Sequence, residues 1–360
     1  METGDGGSPS NGSFARRVVR WQAVHGRHDL PWQRTRDPYR VWLSEIMLQQ
    51  TQVSTVLAYY ARFLERFPDV RALAAAPMDD VLSAWSGLGY YSRARNLHRC
   101  AVAVVERHGG AFPRSAAELA ELPGIGPSTA AAIAAFCFGE RAAILDGNVK
   151  RVLTRWLGFG KDLASTVNEK ALWRQADALL PDETAGDNAM PGYTQGLMDL
   201  GATVCLARNP SCMLCPVSTD CVAQRQSAPE RYPVKTRKLK RGQRENVWLW
   251  LRWRGRLWLQ QRPSQGVWGG LWSLPEFANL EALDQATQGW PGEEEPLPSL
   301  MHTLTHFDWL LRPLRWTLPE TLLQAPEFPA SMAQSGRWVD LQEALSLGLP
   351  APVRKLLTTA

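Results

Sequence analysis

The chain has 360 residues and a formal net charge of +5, from 40 Lys and Arg against 35 Asp and Glu. That length allows two domains with cores of their own, and the mild excess of cations permits a polyanionic partner without specifying one. No apolar run reaches about 18 residues, which excludes a membrane-spanning helix. The six cysteines of a chain expected to stay inside the cell read as metal ligands or free thiols rather than disulfides.

Residues 1–13, METGDGGSPSNGS, are polar and glycine-rich. They read as a disordered tail without the hydrophobic segment of a signal peptide. From Phe14 to His25 the spacing of Phe14, Val18, Trp21 and Val24 predicts a helix. Asp37 caps and Pro38 opens a second helix, Tyr39 to Leu48. Glu45 lies on it between Val41 and Leu48, which share its face. A carboxyl so placed is partly desolvated, its pKa rises, and it becomes a usable general acid. The plainer alternative is a surface glutamate at the edge of the stripe.

Gln49-Gln50-Thr51 interrupts two apolar helices, either as a turn or as a group that hydrogen-bonds bases inside a duplex. Helices are expected from Gln52 to Phe67 and from Met78 to Trp85. The second runs into Gly87-Leu88-Gly89-Tyr90-Tyr91, followed by the basic Ser92-Arg93-Ala94-Arg95. Tyrosine can wedge between bases there and arginine can hold phosphate.

The stretch Leu122 to Leu153 is the densest in signals. Pro123 and Gly124 break a helix that ends near Leu122, Gly126 permits a second turn, and Pro127 suits the first position of the next helix. The result is a tight hairpin between helices, with amides free to meet a phosphate. Asp146 follows Ile144-Leu145 and precedes a helix through Val149, Val152 and Leu153, where it can act as an N-cap. Tyr193 to Val204 is a further helix. It leads into Cys205, Cys212, Cys215 and Cys221, a C-x6-C-x2-C-x5-C run suited to zinc or to an iron–sulfur group. Cys100 and Cys137 lie in apolar helical stretches and read as core.

Residues 227–244 carry seven Lys or Arg, one Glu and two prolines and read as a basic linker. Beyond Val247, where ten of the sixteen tryptophans fall, strands are expected over Val247–Trp253 and Leu257–Gln261, joined at Gly255, and near Met301–Phe307 and Trp309–Trp316. Helices are expected over Asn279–Gln288 and Pro352–Leu357. This is an α+β pattern.

The hairpin and the aspartate twenty residues after Gly126 resemble the helix-hairpin-helix, Gly/Pro…Asp superfamily of base-excision DNA glycosylases. SEIMLQQTQV (Ser44–Val53) and GLGYYSRARNLH (Gly87–His98) look like MutY-type adenine DNA glycosylases. The region after Val247 is similar to their MutT/Nudix-like C-terminal domain, without the acidic helix of a Nudix hydrolase, so pyrophosphatase activity is not expected.

The resemblance implies a multidomain chain. An all-α helix-hairpin-helix glycosylase domain (14–226) would hold an iron–sulfur loop at 205–221. The linker (227–244) and an α+β Nudix-like domain for 8-oxoguanine recognition (245–360) would follow. It implies catalysis by Glu45, Asp146 and Asn148, and a 4Fe–4S cluster on the four cysteines. DNA contacts would come from Gln50, Thr51, Leu88, Tyr90, Leu122, Gly124, Gly126, Ser128 and Gln195. The substrate would be adenine opposite 8-oxoguanine or guanine in double-stranded DNA, and the protein a cytoplasmic, nucleoid-associated monomer. Ser128 stands where strand-cutting relatives place a lysine, which implies base removal by water. Thr305 and His306 stand where the family carries a Phe-Ser-His lesion sensor. Leu304 and Thr305 depart from that pattern, and Gln33 and Pro127 stand where arginine is common.

Overall fold

The computed structural model describes residues 11–182, 186, 188–236, 241–326, 328, 332 and 336–359. Most of the expected N-terminal tail lies outside these residues. The first helix already begins at Asn11.

The helices in chain order are α1 (Asn11–His25), α2 (Pro38–Leu48), α3 (Val53–Arg66), α4 (Val70–Ala75), α5 (Met78–Ala84), α6 (Ser92–His108), α7 (Ala116–Leu119), α8 (Pro127–Phe138), α9 (Gly147–Leu157), α10 (Thr166–Ala178), α11 (Ala189–Thr203), α12 (Val222–Arg225), α13 (Leu280–Ala286), α14 (Leu341–Ser346) and α15 (Ala351–Thr359). Their ends follow local chemistry. Asp37 accepts the Tyr39 amide and Pro38 occupies the first turn of α2. Gly126 caps α8 with Pro127 behind it, and Gly139 ends that helix in the left-handed region. Asp146 caps α9, and Gly158 ends it at φ 64°.

Two compact units form, and neither is continuous in the chain. The first takes Met1–Tyr60, Asp69–Arg71 and Arg99–Lys238, and the second Ala61–Pro68, Ala72–His98 and Leu239–Ala360. The core of the first is built by α1, α8, α9, α10 and α11. Phe14, Val18, Ile144, Val149, Leu153, Trp156, Leu172, Leu197 and Leu200 are buried together there. Gly196 fits because a β-carbon would stand 2.7 Å from the Val18 side chain. Residues Pro229–Thr236, read from sequence as linker, pack on this unit. The Leu163 amide bonds to the Val234 carbonyl, and Thr236 bonds to Asp162. Residues 237–240 lie outside the described residues, and Gly242–Arg244 already belong to a strand.

The second unit holds the sheet, with strands β1 (Gly242–Trp253), β2 (Arg256–Gln261), β3 (Trp272–Ser273), β4 (Glu276–Phe277), β5 (Glu293–Pro296), β6 (Leu300–Thr303), β7 (Phe307–Thr317) and β8 (Gly336–Asp340). The path is β3-β2-β1-β7-β5, with β4 on β1, β6 on β7 and β8 on β2. β1 and β7 run parallel from Gly242↔Phe307 to Arg252↔Thr317, and the other described pairings are antiparallel. Leu304 to His306, expected as strand, forms the turn between β6 and β7.

Helical residues from before the sheet complete this unit. Asp79 accepts from Gln261 Nε2 at 2.9 Å and from the Trp272 indole at 3.1 Å. The Tyr91 hydroxyl donates to the Leu349 carbonyl at 3.2 Å, and Arg95 donates to the Gly269 carbonyl at 2.7 Å.

The end of α9 offers a test of packing. Gly139 and Gly158 both adopt positive φ, but a β-carbon on Gly139 meets nothing within 4 Å, whereas one on Gly158 would stand 2.4 Å from Val222 Cγ1. Gly139→Ala should cost only the left-handed strain, roughly 1–2 kcal/mol, or several degrees of Tm. Gly158→Ala should cost clearly more in thermal unfolding, because the short Val222 side chain cannot swing away. Equal losses would show that Val222 does not press on this turn.

Candidate active site

A cleft of about 1300 Å³ opens in the first unit. Glu45 reaches it from α2, Asp146 and Asn148 from the start of α9, and Ser128 from the start of α8. Gln50 and Thr51 line it from the turn after α2, and Gln195 from α11. Glu45 sits in the last turns of α2, Ser128 in the first turn of α8, Asp146 at the cap of α9 and Gln195 midway along α11.

Asp146 is fixed by its own helix. Its Oδ1 accepts the Val149 amide at 2.7 Å. Leu145, just before it, donates its amide to Ser128 Oγ at 3.0 Å, so Ser128 ties the hairpin helix to the approach of Asp146. Burial raises the Asp146 pKa, while the amides of Val149 and Asn148 and the charges of Arg151 and Lys150 pull the other way. The Asn148 side chain does not touch that carboxylate. Its Oδ1 accepts from Arg151 at 2.8 Å, and only its backbone amide supports Asp146.

Glu45 keeps part of its surface open to the cleft, yet the protein packed around it desolvates the carboxyl. Its pKa rises to about 8, first through burial and then through the Asp146 charge. Burial raises both pKa values, but only Asp146 has amides and cations that favour its anion. Asp146 therefore holds the charge, and that charge keeps the Glu45 proton on.

Gln50 is exposed and sits at φ 58°. That conformation is strained for a residue with a side chain, and such strain collects at functional sites. Tyr90, in the second unit, is 46% exposed and likewise left-handed, at φ 49°. Leu88 beside it is buried. The Tyr90 hydroxyl lies 3.5 Å from Thr305 Oγ1, so the tyrosine loop and the β6–β7 turn meet. Thr305 and His306 are exposed on that turn. Of the hairpin residues, Leu122 is buried and Gly124 takes the left-handed turn at φ 77°.

The four cysteines come together around one cavity that Arg155 and Trp156 also line. Burial pushes the Cys215 thiol up to about 12, and the neighbouring Cys205, Cys221 and Cys212 add to the shift. Among the described residues, no three His, Cys, Asp or Glu side chains converge on a single ion-sized point. Cys100 is buried as expected, while Cys137 is only half-buried.

Sequence reasoning missed two residues. Arg151 donates to the Cys205 carbonyl at 2.7 Å and to the Gly201 carbonyl at 2.7 Å. Arg155 is buried among carbonyls of the cysteine loop. Their i, i+4 spacing on a helix capped by Asp146 was the available signal.

Glu45 makes a stability prediction. A carboxyl whose folded pKa lies above its unfolded value holds a proton that the unfolded chain has lost, so folding weakens as pH rises from about 4.5 to about 8. Glu45→Gln has no such group. Its thermal stability relative to the unaltered protein should grow across that window and level off above it. A pH-independent difference would show that Glu45 titrates normally.

Comparison with known proteins gives two family matches. Residues 43–175 match the HhH-GPD superfamily of base excision DNA repair proteins, and residues 247–359 match the NUDIX domain. The adenine DNA glycosylase of Buchnera aphidicola subsp. Acyrthosiphon pisum is 35% identical over 354 residues, covering 96% of each chain. The human adenine DNA glycosylase is 31% identical, covering 96% of this chain and 73% of its own. A thermostable thymine-DNA glycosylase structure superimposes with a TM-score of 0.54 at 30% identity, covering 60% of this chain and 97% of its own. The chain belongs to the adenine DNA glycosylases, enzymes of base excision repair.

Proposed function

We propose that this glycosylase removes adenine mispaired with 8-oxoguanine, or with guanine, from double-stranded DNA by hydrolysis. The observation that supports this most is one cleft holding a proton-bearing Glu45 beside a charged, amide-held Asp146. Breaking an N-glycosidic bond poses the charge problem of glycoside hydrolysis: a poor leaving group and an oxocarbenium-like sugar. A base flipped from the stack would place N7 toward Glu45. Proton transfer to N7 lets the C1′–N9 electron pair move onto the ring, and adenine leaves neutral. Asp146 stabilises the cationic sugar until water adds at C1′ and gives up a proton to a carboxylate. The Asn148 amide helps keep Asp146 ionised.

Gln50, Thr51 and Gln195 line the cleft, and Leu88 and Tyr90 belong to the loop that meets the strand. The hairpin amides around Leu122, Gly124 and Gly126 hold phosphate. Thr305 and His306 read the opposite base, since a hydroxyl both donates and accepts. Ser128 has no amine for a Schiff base, so the enzyme is monofunctional, and its place is the nucleoid in the cytoplasm. The enzyme acts on its duplex as a monomer.

Cys205, Cys212, Cys215 and Cys221 hold a 4Fe–4S cluster. The donors fit it: four thiols stand around one cavity, the donor set of such a cluster. When bound, the cluster supplies a rigid anchor for its loop. The likeness to a thymine-DNA glycosylase favours thymine as the second reading.

A single-turnover comparison tests the reading, with duplexes carrying A opposite 8-oxoguanine, G, C or T and a T:G duplex at one salt concentration. A opposite 8-oxoguanine should be cut fastest, and preferred excision of thymine would replace this reading with the second. Glu45→Gln should lose about 10²–10⁴-fold in rate while still binding duplex, and Asp146→Asn should fail although asparagine caps helices well. The free-enzyme kcat/KM should fall above about pH 8, as Glu45 loses its proton. The purified protein should be yellow-brown with about four irons per chain.

A further inference from the structure

Arg155 is 2% exposed, and its guanidinium meets only neutral acceptors. Nε donates to the Pro229 carbonyl at 2.8 Å and the Tyr232 carbonyl at 3.3 Å. One terminal nitrogen donates to the Leu206 carbonyl at 2.5 Å and stands 3.4 Å from the Cys205 sulfur. The other donates to the Ala207 carbonyl at 3.0 Å. No carboxylate is among these acceptors. A buried cation is normally offset by an anion, because carbonyl dipoles return only part of the lost hydration. Among the residues lining the cysteine cavity, the ionisable groups are Arg155 and the four thiols. The groups of this cavity that can balance it are the four cysteine sulfurs, which become anionic when they ligate a metal centre.

We propose that Arg155 is the buried counter-ion of the cysteine-ligated cluster and the clasp that keeps its loop in place. This role exists only if the thiols hold the cluster proposed above. Four thiolates outweigh the charge of the iron–sulfur core, so the bound group is anionic, and hydrogen bonds to sulfur together with net charge set its potential. Reduction adds one electron and forms or breaks no bond. A cation held at the Cys205 sulfur stabilises the reduced form more than the oxidised one and raises the potential. Arg151, one turn earlier, reaches only the Cys205 carbonyl and spends its other donors on Asn148 and Gly201. It anchors the loop but is not among the residues that line the cavity.

The test uses the full-length holoprotein and three variants: Arg155→Met, Arg155→Lys and, as a control, Arg225→Met on the exposed face of α12. Potentials are read by dithionite titration with mediators while the visible absorbance of the cluster is followed, and iron release to a chelator is timed. Arg155→Met should lower the reduced-to-oxidised ratio at fixed potential about tenfold, which is 59 mV for one electron, and should release iron faster. Arg155→Lys should keep the potential near that of the unaltered protein but release iron faster, since an ammonium cannot bridge the same carbonyls. Arg225→Met should match the unaltered protein in both, because solvent screens an exposed charge. An unshifted potential in Arg155→Met refutes the counter-ion role. If that variant retains no cluster, unchanged iron release in Arg155→Lys refutes the clasp. An unaltered protein that binds no iron at all overturns the cofactor reading itself, and the counter-ion with it.

Discussion

The hydrogen bond from the Val149 amide to Asp146 is the constraint on which the first unit depends. It satisfies a helix start, and it holds a carboxylate at the positive end of the helix, where an anion is favoured. The same helix then sets everything downstream at fixed distances. One turn on, Arg151 grips the Cys205 carbonyl; a further turn brings Arg155 to the cysteine loop. Upstream, Ser128 holds the Leu145 amide and so joins the glycine hairpin to the same point. Hairpin, carboxylate and cysteine loop are thus read off one rigid rod.

Two carboxyls in one cleft would repel if both were charged. The protein resolves this by unequal support rather than by distance. Asp146 has amides and nearby cations, while Glu45 has apolar neighbours and the Asp146 charge. Burial raises both, and the difference in hydrogen bonding decides which one keeps its proton. An acid and an anion then coexist near neutral pH without any further group.

The second unit shows that chain order and structural membership differ. Residues 72–98 come from the helical part of the chain but pack with the sheet, through Asp79, Tyr91 and Arg95. The Tyr90 loop is therefore held by the fold that carries Thr305. Strain at Gln50 and at Tyr90 marks two turns, one in each unit, where backbone comfort yields to side-chain placement.

By itself the sequence determined the local events: caps at Asp37 and Asp146, the glycine hairpin, the polar break after α2, the spaced cysteines and the apolar strands after Val247. These depend on neighbours within a few residues, where propensity, capping and periodicity act. It also placed Glu45 on an apolar face, and so the sign of its shift. Only the tertiary structure decided that Asp146 is the charge raising Glu45 further, that burial lifts Asp146 as well, and that the Asn148 side chain turns to Arg151. It alone brought Arg155 under the cysteine loop, moved residues 72–98 into the second unit and packed Pro229–Thr236 onto the first. Each of these rests on desolvation or on contacts between distant segments. Neither has a signature in residue spacing, because both are set by which surfaces the folded chain removes from water.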